Sequence, residues 1–259
     1  MQGPADKRVR NAYFHSLVSL GRLIKTVNGQ PRIVAGLPWF FQFWTRDEAV
    51  CLKALMIMGK YSEVEQILSK EMSLIGYDGN IVNRIPPTVA ASSDAVGWVF
   101  LRARDFLREL WKQGKIMKKF REKVRERLNH AIYLLIKFNT RDGLAYSSPG
   151  TTWMDSSYQN DMRGGYCVEI QALRLRMYSF MYELSGNRRY KEFELELREK
   201  VVEGFWNGEL LADSLDDWTV RPNVFIAAYV YPELLSRQQW KTCLTNTLKK
   251  LWLEWGGLS

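Results

Sequence analysis

Histidine is nearly absent from this chain: only His15 and His130 occur in 259 residues. Both fall inside amphipathic helical stretches, where packing or a place on the surface is the ordinary role. Histidine-based triads, HExxH metal sites and histidine-ligated iron are therefore poor fits, and no metal is expected. Three cysteines (Cys51, Cys167 and Cys243) are odd in number, far apart and without a CxxC pair. They suggest neither a disulfide framework nor a zinc site, and they fit a reducing cytoplasm. There is no GxSxG elbow, no GxxxxGK(S/T) phosphate loop and no GxGxxG after a strand, so nucleotide cofactors have no evident seat. No apolar run approaches the length of a membrane span, and Met1 to Arg8 carries no apolar signal segment. A membrane partner is not expected.

What is present is tryptophan and spread positive charge. The net charge is +9, and Lys112 to Arg127 is its densest stretch. Met117, Phe120, Val124, Leu128 and Ala131 nevertheless recur along it at helical spacing. One face is then core and the basic face is solvated, which argues against a nucleic-acid partner. Ten tryptophans are many for one chain, and those at 39, 44, 98, 153 and 218 stand close to polar residues. Between Gly36 and Ala49, Trp39, Phe40, Phe41, Phe43 and Trp44 crowd up to the pair Arg46–Asp47. Aromatic faces beside a forked cation and a carboxylate suit a sugar ring, whose C–H face stacks on indole while its hydroxyls bridge the charges. A core helix with an ion pair in its first turn would use the same residues.

Apolar periodicity predicts about nine helices: 9–26, 46–58, 61–75, 95–113, 115–139, 167–185, 190–205, 223–231 and 235–254. Short connections (Gly59–Lys60, Gly186–Asn187) alternate with long ones at 27–45, 76–92, 140–166 and 206–222. The long ones carry the Trp, Asp, Arg and Asn residues. Helical hairpins set in a ring would place tight turns at one end and gather those loops at one mouth. The whole chain, 1–259, reads as one such domain.

Four further clusters lie at helix starts. Thr151 to Ser157 holds Trp153 and Asp155; an Asp behind a Trp–Met pair would be partly desolvated, which suits a proton donor, or it would cap the next segment. Glu169 opens an apolar helix, favoured there by the dipole or aimed into the mouth. Asn83-Arg84-Ile85-Pro86 precedes Ser92-Ser93-Asp94, a cap for the helix carrying Trp98. Arg221-Pro222-Asn223 presets another helix start.

Taken in order, AGLPWFFQFWTRDEA, DGNIVNRIPP, SSDAVGW, TTWMDSS, VEIQAL and RPNVFIAA resemble the amylo-α-1,6-glucosidase part of glycogen debranching enzymes. The match covers roughly residues 35 to 230. WTRD is also similar to glucoamylases and TWMDSS to trehalases. The resemblance implies an all-α, (α/α)6 toroid and hydrolysis of an α-1,6-linked glucose in glycogen-like α-glucans, without metal or organic cofactor. It implies that Asp155 is the general acid and that Arg46 and Asp47, with Trp44 beside them, grip the terminal glucose. Trp39, Asn83, Arg84, Asp94, Trp153, Glu169, Arg221 and Asn223 would line the pocket.

Two departures accompany it. Inversion needs a base carboxylate about 6.5–9.5 Å from the acid, and no segment here matches the family's late glutamate; Glu254 sits in an amphipathic setting. Nine helices stand where a closed ring needs twelve, so the toroid is expected to be incomplete at the C-terminus. A fragment of a longer enzyme and a non-catalytic α-glucan-binding module both fit this. Arg174 also stands where the family has an aromatic residue.

Overall fold

The computed structural model describes residues 6–85, 91–157 and 162–258. Pro86 of the NRIPP segment and residues 158–161 of the Gly/Ser-rich loop lie outside them, as do 1–5 and 259. Among the described residues there are nine α-helices: α1 (Lys7–Leu23), α2 (Thr45–Ile57), α3 (Tyr61–Ser73), α4 (Ala95–Lys112), α5 (Lys118–Phe138), α6 (Val168–Ser185), α7 (Arg188–Phe205), α8 (Asn223–Val230) and α9 (Arg237–Leu251). The count and the order follow the apolar periods, with ends shifted by a few residues.

One end differs in kind. The period of the first helix runs to Thr26, yet the chain leaves the helix at Leu23, and β1 (Ile24–Val27) pairs antiparallel with β2 (Gln30–Ile33). Asn28 and Gly29 both take positive φ (50° and 73°), the geometry of a type I′ hairpin, for which Asn-Gly is the strongest short signal. Two more pairs follow. β3 (Phe43–Trp44) pairs with β4 (Arg84–Ile85), and β5 (Thr140–Arg141) pairs with β6 (Leu144–Ala145) across Asp142–Gly143, again with both residues at positive φ.

The even-numbered helices form an inner row: α2 packs on α4, α4 on α6 and α6 on α8. The odd-numbered ones cover it, α3 against α2 and α4, α5 against α4 and α6, α7 against α6. Composition explains the division. α6 is buried on every side, including Gln171, Arg174 and Arg176, as a helix walled in by neighbours must be. α5 and α7 bury only one stripe. Tight turns after α2, α4 and α6 reverse the chain, so the inner helices share a direction and their N-termini meet the long loops. This is the (α/α)6 toroid type of fold. Arg174, in place of an aromatic, stays buried by donating to Thr140 Oγ1 at 3.1 Å.

The inner row is close-packed where Gly97 of α4 meets α6. A Cβ at Gly97 would lie 2.6 Å from Leu173 Cβ, nearer than any real contact. Behind α2, Arg32 holds Glu48 through Nε and Nη2, and Glu48 Oε1 also accepts the Ile33 N–H at 2.8 Å. Glu71 lies beside this pair, fully buried, 3.7 Å from Arg32 and 3.9 Å from Lys70. Burial and the adjacent Glu48 charge push its carboxyl up to about 7.

Two outcomes follow. Gly97→Ala gains about 1 kcal/mol of helix propensity but meets an overpacking cost of about 1–3 kcal/mol. Calorimetry should show a net loss of stability, which Leu173→Ala does not recover because alanine keeps the Cβ that Gly97→Ala meets. Glu71 binds its proton more tightly folded than unfolded, so wild-type stability falls as pH rises from the ordinary value of 4.5 towards 7. Glu71→Gln should match wild type near pH 4 and exceed it at pH 8, by on the order of 2 kcal/mol. Parallel urea curves at the two pH values check this.

Candidate active site

The first turn of α2 has no side-chain cap of its own. Asn83, from the loop before β4, supplies one: its backbone carbonyl accepts the Thr45 N–H at 2.8 Å and its Oδ1 the Arg46 N–H at 3.3 Å. The β3–β4 pairing places Trp44 opposite Arg84, whose guanidinium stands 5.8 Å from the indole centroid. Two distant loops are thereby joined at the point where Arg46 begins its helix.

Arg46 is the centre of the arrangement. Its Nε donates to Asp94 Oδ2 at 2.6 Å, and its Nη1 lies 3.5 Å from Asp155 Oδ2, across 109 residues of sequence. Asp94 is wholly buried and its other oxygen accepts from Ser92 Oγ at 2.7 Å. The helix-capping role falls to Ser92, which accepts the Ala95 N–H at 3.1 Å. Burial lowers the tendency of Arg46 to hold its proton, but Asp94 outweighs this and keeps the guanidinium firmly charged. Asp47 is half-buried: burial pushes its carboxyl up, Arg46 pulls it back, and the like charges of Asp94 and Asp155 add to the rise. Trp44 Nε1, Arg46 Nη2 and Arg84 Nε have no hydrogen-bond partner among the described residues.

The Asp155 loop is tied to the start of α4 by two bonds between Ser93 and Thr151, N–H to carbonyl and hydroxyl to hydroxyl, both 2.7 Å. Asp155 itself is 48% exposed and meets Arg46. Its side chain is half-buried, and the polar edge of the Trp153 indole is engaged elsewhere. Trp153 Nε1–H donates to Asn223 Oδ1 at 2.6 Å, and Asn223 Nδ2 donates to Asp213 Oδ1, also 2.6 Å. Asp213 Oδ2 accepts from Arg163 Nε at 2.7 Å and Arg221 Nη1 at 2.8 Å, and Arg163 chelates Glu169.

Each residue singled out from sequence therefore has a place. Arg46, Asp47, Asp94 and Asp155 come together at the inner-helix N-termini, with Trp44 and Arg84 alongside. Asn83 is buried and serves as a cap. Glu169 is 1% exposed and both its oxygens face Arg163, so it neither reaches the mouth nor merely serves the helix dipole. Arg221 and Asn223 belong to the Asp213 cluster, with Trp153 at its edge. Trp39 stands apart, 79% exposed on a turn closed by paired backbone bonds between Gly36 and Phe40. Sequence reasoning missed Arg163 and Asp213. Asp213 is one of three aspartates in the 206–222 loop, and nothing in its neighbours marks it. A groove of about 340 Å³ lined by Arg104, Trp111, Ile116 and Glu183 lies at the C-terminal ends of α4 and α6, away from this cluster.

Paired helices whose inner N-termini gather carboxylates, a clamped arginine and indoles define a glycosidase domain of the toroid type. The profile of the amylo-alpha-1,6-glucosidase family matches residues 17–258, and the chain belongs to that family. No curated protein matches the sequence itself. Among solved structures it is similar to a rhamnosidase from Klebsiella oxytoca with rhamnose bound (TM-score 0.66, 14% identity, 95% of this chain and 48% of that one). It is also similar to a Streptococcus pneumoniae member of a family of metal-independent alpha mannosidases (0.64, 12%, 97% and 76%). A glycosidase variant gives 0.71 at 13% identity, over 97% of this chain and 73% of that one. The chain thus spans about half of the rhamnosidase. Among the described residues no helix is long and apolar enough to cross a membrane.

The raised Asp47 carboxyl predicts a stability cost carried by the site. Asp47 holds its proton better folded than unfolded, so the cost grows as pH rises above its ordinary value of 3.8. Asp47→Asn should melt above wild type at pH 7 and level with it near pH 3, measured by thermal unfolding at both.

Proposed function

We propose that this domain hydrolyses an α-1,6-linked glucose from glycogen-like α-glucans in the cytoplasm, with inversion and without a metal or organic cofactor. The observation that carries the reading is the convergence on Arg46 of Asp94 and Asp155, from two separate loops, with Asp47 beside them. Arg46 and Asp47 would grip the hydroxyls of the terminal glucose, and Trp44 and Trp153 would offer faces to its C–H surface. Trp39 would meet the glucan further out. Arg84 and Asp94 would complete the wall, while Asn83, Glu169, Arg221 and Asn223 support it from behind.

In this reading Asp155, open to the mouth, gives its proton to the glycosidic oxygen as the C1–O bond breaks. Water adds to C1 from the opposite face and loses its proton to a base carboxylate, so that glucose leaves with inverted configuration. Asp94 cannot be that base, since one of its oxygens is bonded to Arg46 and the other to Ser92. That commitment favours a second reading, in which the domain binds α-glucan without cleaving it.

Incubation with branched and linear oligoglucosides, scored for free glucose, separates the two. The enzyme reading expects release from α-1,6-branched substrates and a drop of about 10²–10⁴ in Asp155→Asn, with isomaltose binding retained. Sugar binding without any release supports the module. Release unchanged in Asp155→Asn removes that residue from the chemistry.

A further inference from the structure

The proposed reaction assigns no task to Asp213, yet a buried polar network beside the mouth is centred on it. Asp213 is 4% exposed and Asn223 is fully buried. Both Asp213 oxygens are engaged, Oδ1 by Asn223 Nδ2 and Oδ2 by Arg163 and Arg221, and its backbone carbonyl accepts the Val168 N–H at the start of α6. Arg163 is fixed in turn by Glu169, which is itself buried.

The chemistry of the groups gives this chain of bonds a direction. An ionised carboxylate only accepts, so the Asn223 amide must turn its NH₂ towards Asp213. Its oxygen must then face the other way, where it meets the indole N–H of Trp153, a group that only donates. A neutral amide in place of Asp213 could offer its own NH₂ to Asn223 and reverse that amide, setting donor against donor at the indole. We infer that Asp213 is a positioning residue: acting through Asn223, it orients the indole of Trp153 and with it the segment that carries Asp155. The guanidiniums of Arg163 and Arg221 keep it an acceptor, and Glu169 keeps Arg163 in place. The sugar-binding consequence rests on the proposed function; the orientation of the indole does not.

The test reads the two separately. In the ¹⁵N-labelled protein, the Trp153 indole N–H resonance is assigned by its loss in Trp153→Phe. Asp213→Asn should shift that resonance and speed its exchange with solvent while the other indoles stay in place. The exchange variant, Asp213→Asn with Asn223→Asp, restores an acceptor facing Trp153 and should return the resonance towards the wild-type position. An unmoved resonance in the single variant, or a displaced one in the exchange variant, overturns the proposal. Should the single variant not fold, the exchange variant decides alone, and failure of both makes Asp213 a residue of the fold rather than of the site.

With isomaltose as probe, Asp213→Asn should weaken binding about tenfold, the scale of one charge-assisted hydrogen bond. In the Trp153→Phe background the same change should cost almost nothing further, because the route through the indole is already cut. Additive losses would overturn the inference. Absence of isomaltose binding in the wild type would count against the proposed function, and the indole resonance would still decide the role of Asp213.

Discussion

The bond between Arg46 and Asp94 is the constraint on which the rest of the mouth depends. It joins the first turns of two inner helices, and it is made between a wholly buried carboxylate and a guanidinium with little exposure. Breaking such a pair leaves an uncompensated charge inside the protein, at a cost of about 3–5 kcal/mol. The register of α2 against α4 is therefore held at the end where function needs it, while apolar contact such as Gly97 on Leu173 holds the middle. With Nε committed to Asp94, Arg46 has two nitrogens left: Nη1 lies towards Asp155, and Nη2 is buried with no hydrogen-bond partner among the described residues.

The same logic recurs around the ring. Ser93 and Thr151 fasten the Asp155 loop to the start of α4, and Asp213 fastens the start of α6 to that of α8 through Val168 and Asn223. Each contact fixes an inner helix at its N-terminus, where unsatisfied N–H groups would otherwise lack partners. The polar residues at the mouth thus have two employments. Asn83, Ser92, Glu169 and Asp213 are consumed in holding helix ends and loops together. Asp47 and Asp155 remain accessible, and they can afford this because the buried set bears the structural load.

The helices were legible in the sequence because their apolar periods are long and their partners local. The hairpins at Asn28–Gly29 and Asp142–Gly143 were not read from the sequence: their strands are very short, and the helical period of Leu20, Leu23 and Ile24 masks the first of them. The gathering of Arg46, Asp47, Asp94 and Asp155 could be anticipated from motif order. Their division of labour could not. Glu169 and Asp155 look alike as acidic residues near helix starts, and what separates them is Arg163, which reaches one and not the other from a glycine-rich loop with no period to read.

Charge at the mouth completes the argument. The protein as a whole is strongly basic, with a net charge of +9. At the inner-helix N-termini, counting the mouth and the buried wall behind it, the balance inverts: Asp47, Asp94, Asp155, Glu169, Asp213 and Asp217 face Arg46, Arg84, Arg163 and Arg221. The positive ends of the helix dipoles offset part of that excess, which lets so many carboxylates stay together. Cleavage of a glycosidic bond passes through an oxocarbenium-like state, in which positive charge develops on the sugar ring. In the proposed reaction, surplus negative charge fixed at this mouth before substrate arrives would favour that state over the neutral ground state. Burial raises the carboxyl of Asp47 most, with Asp94 and Asp155 adding to the rise, and in the proposed reaction a cation forming beside it would relieve that added repulsion.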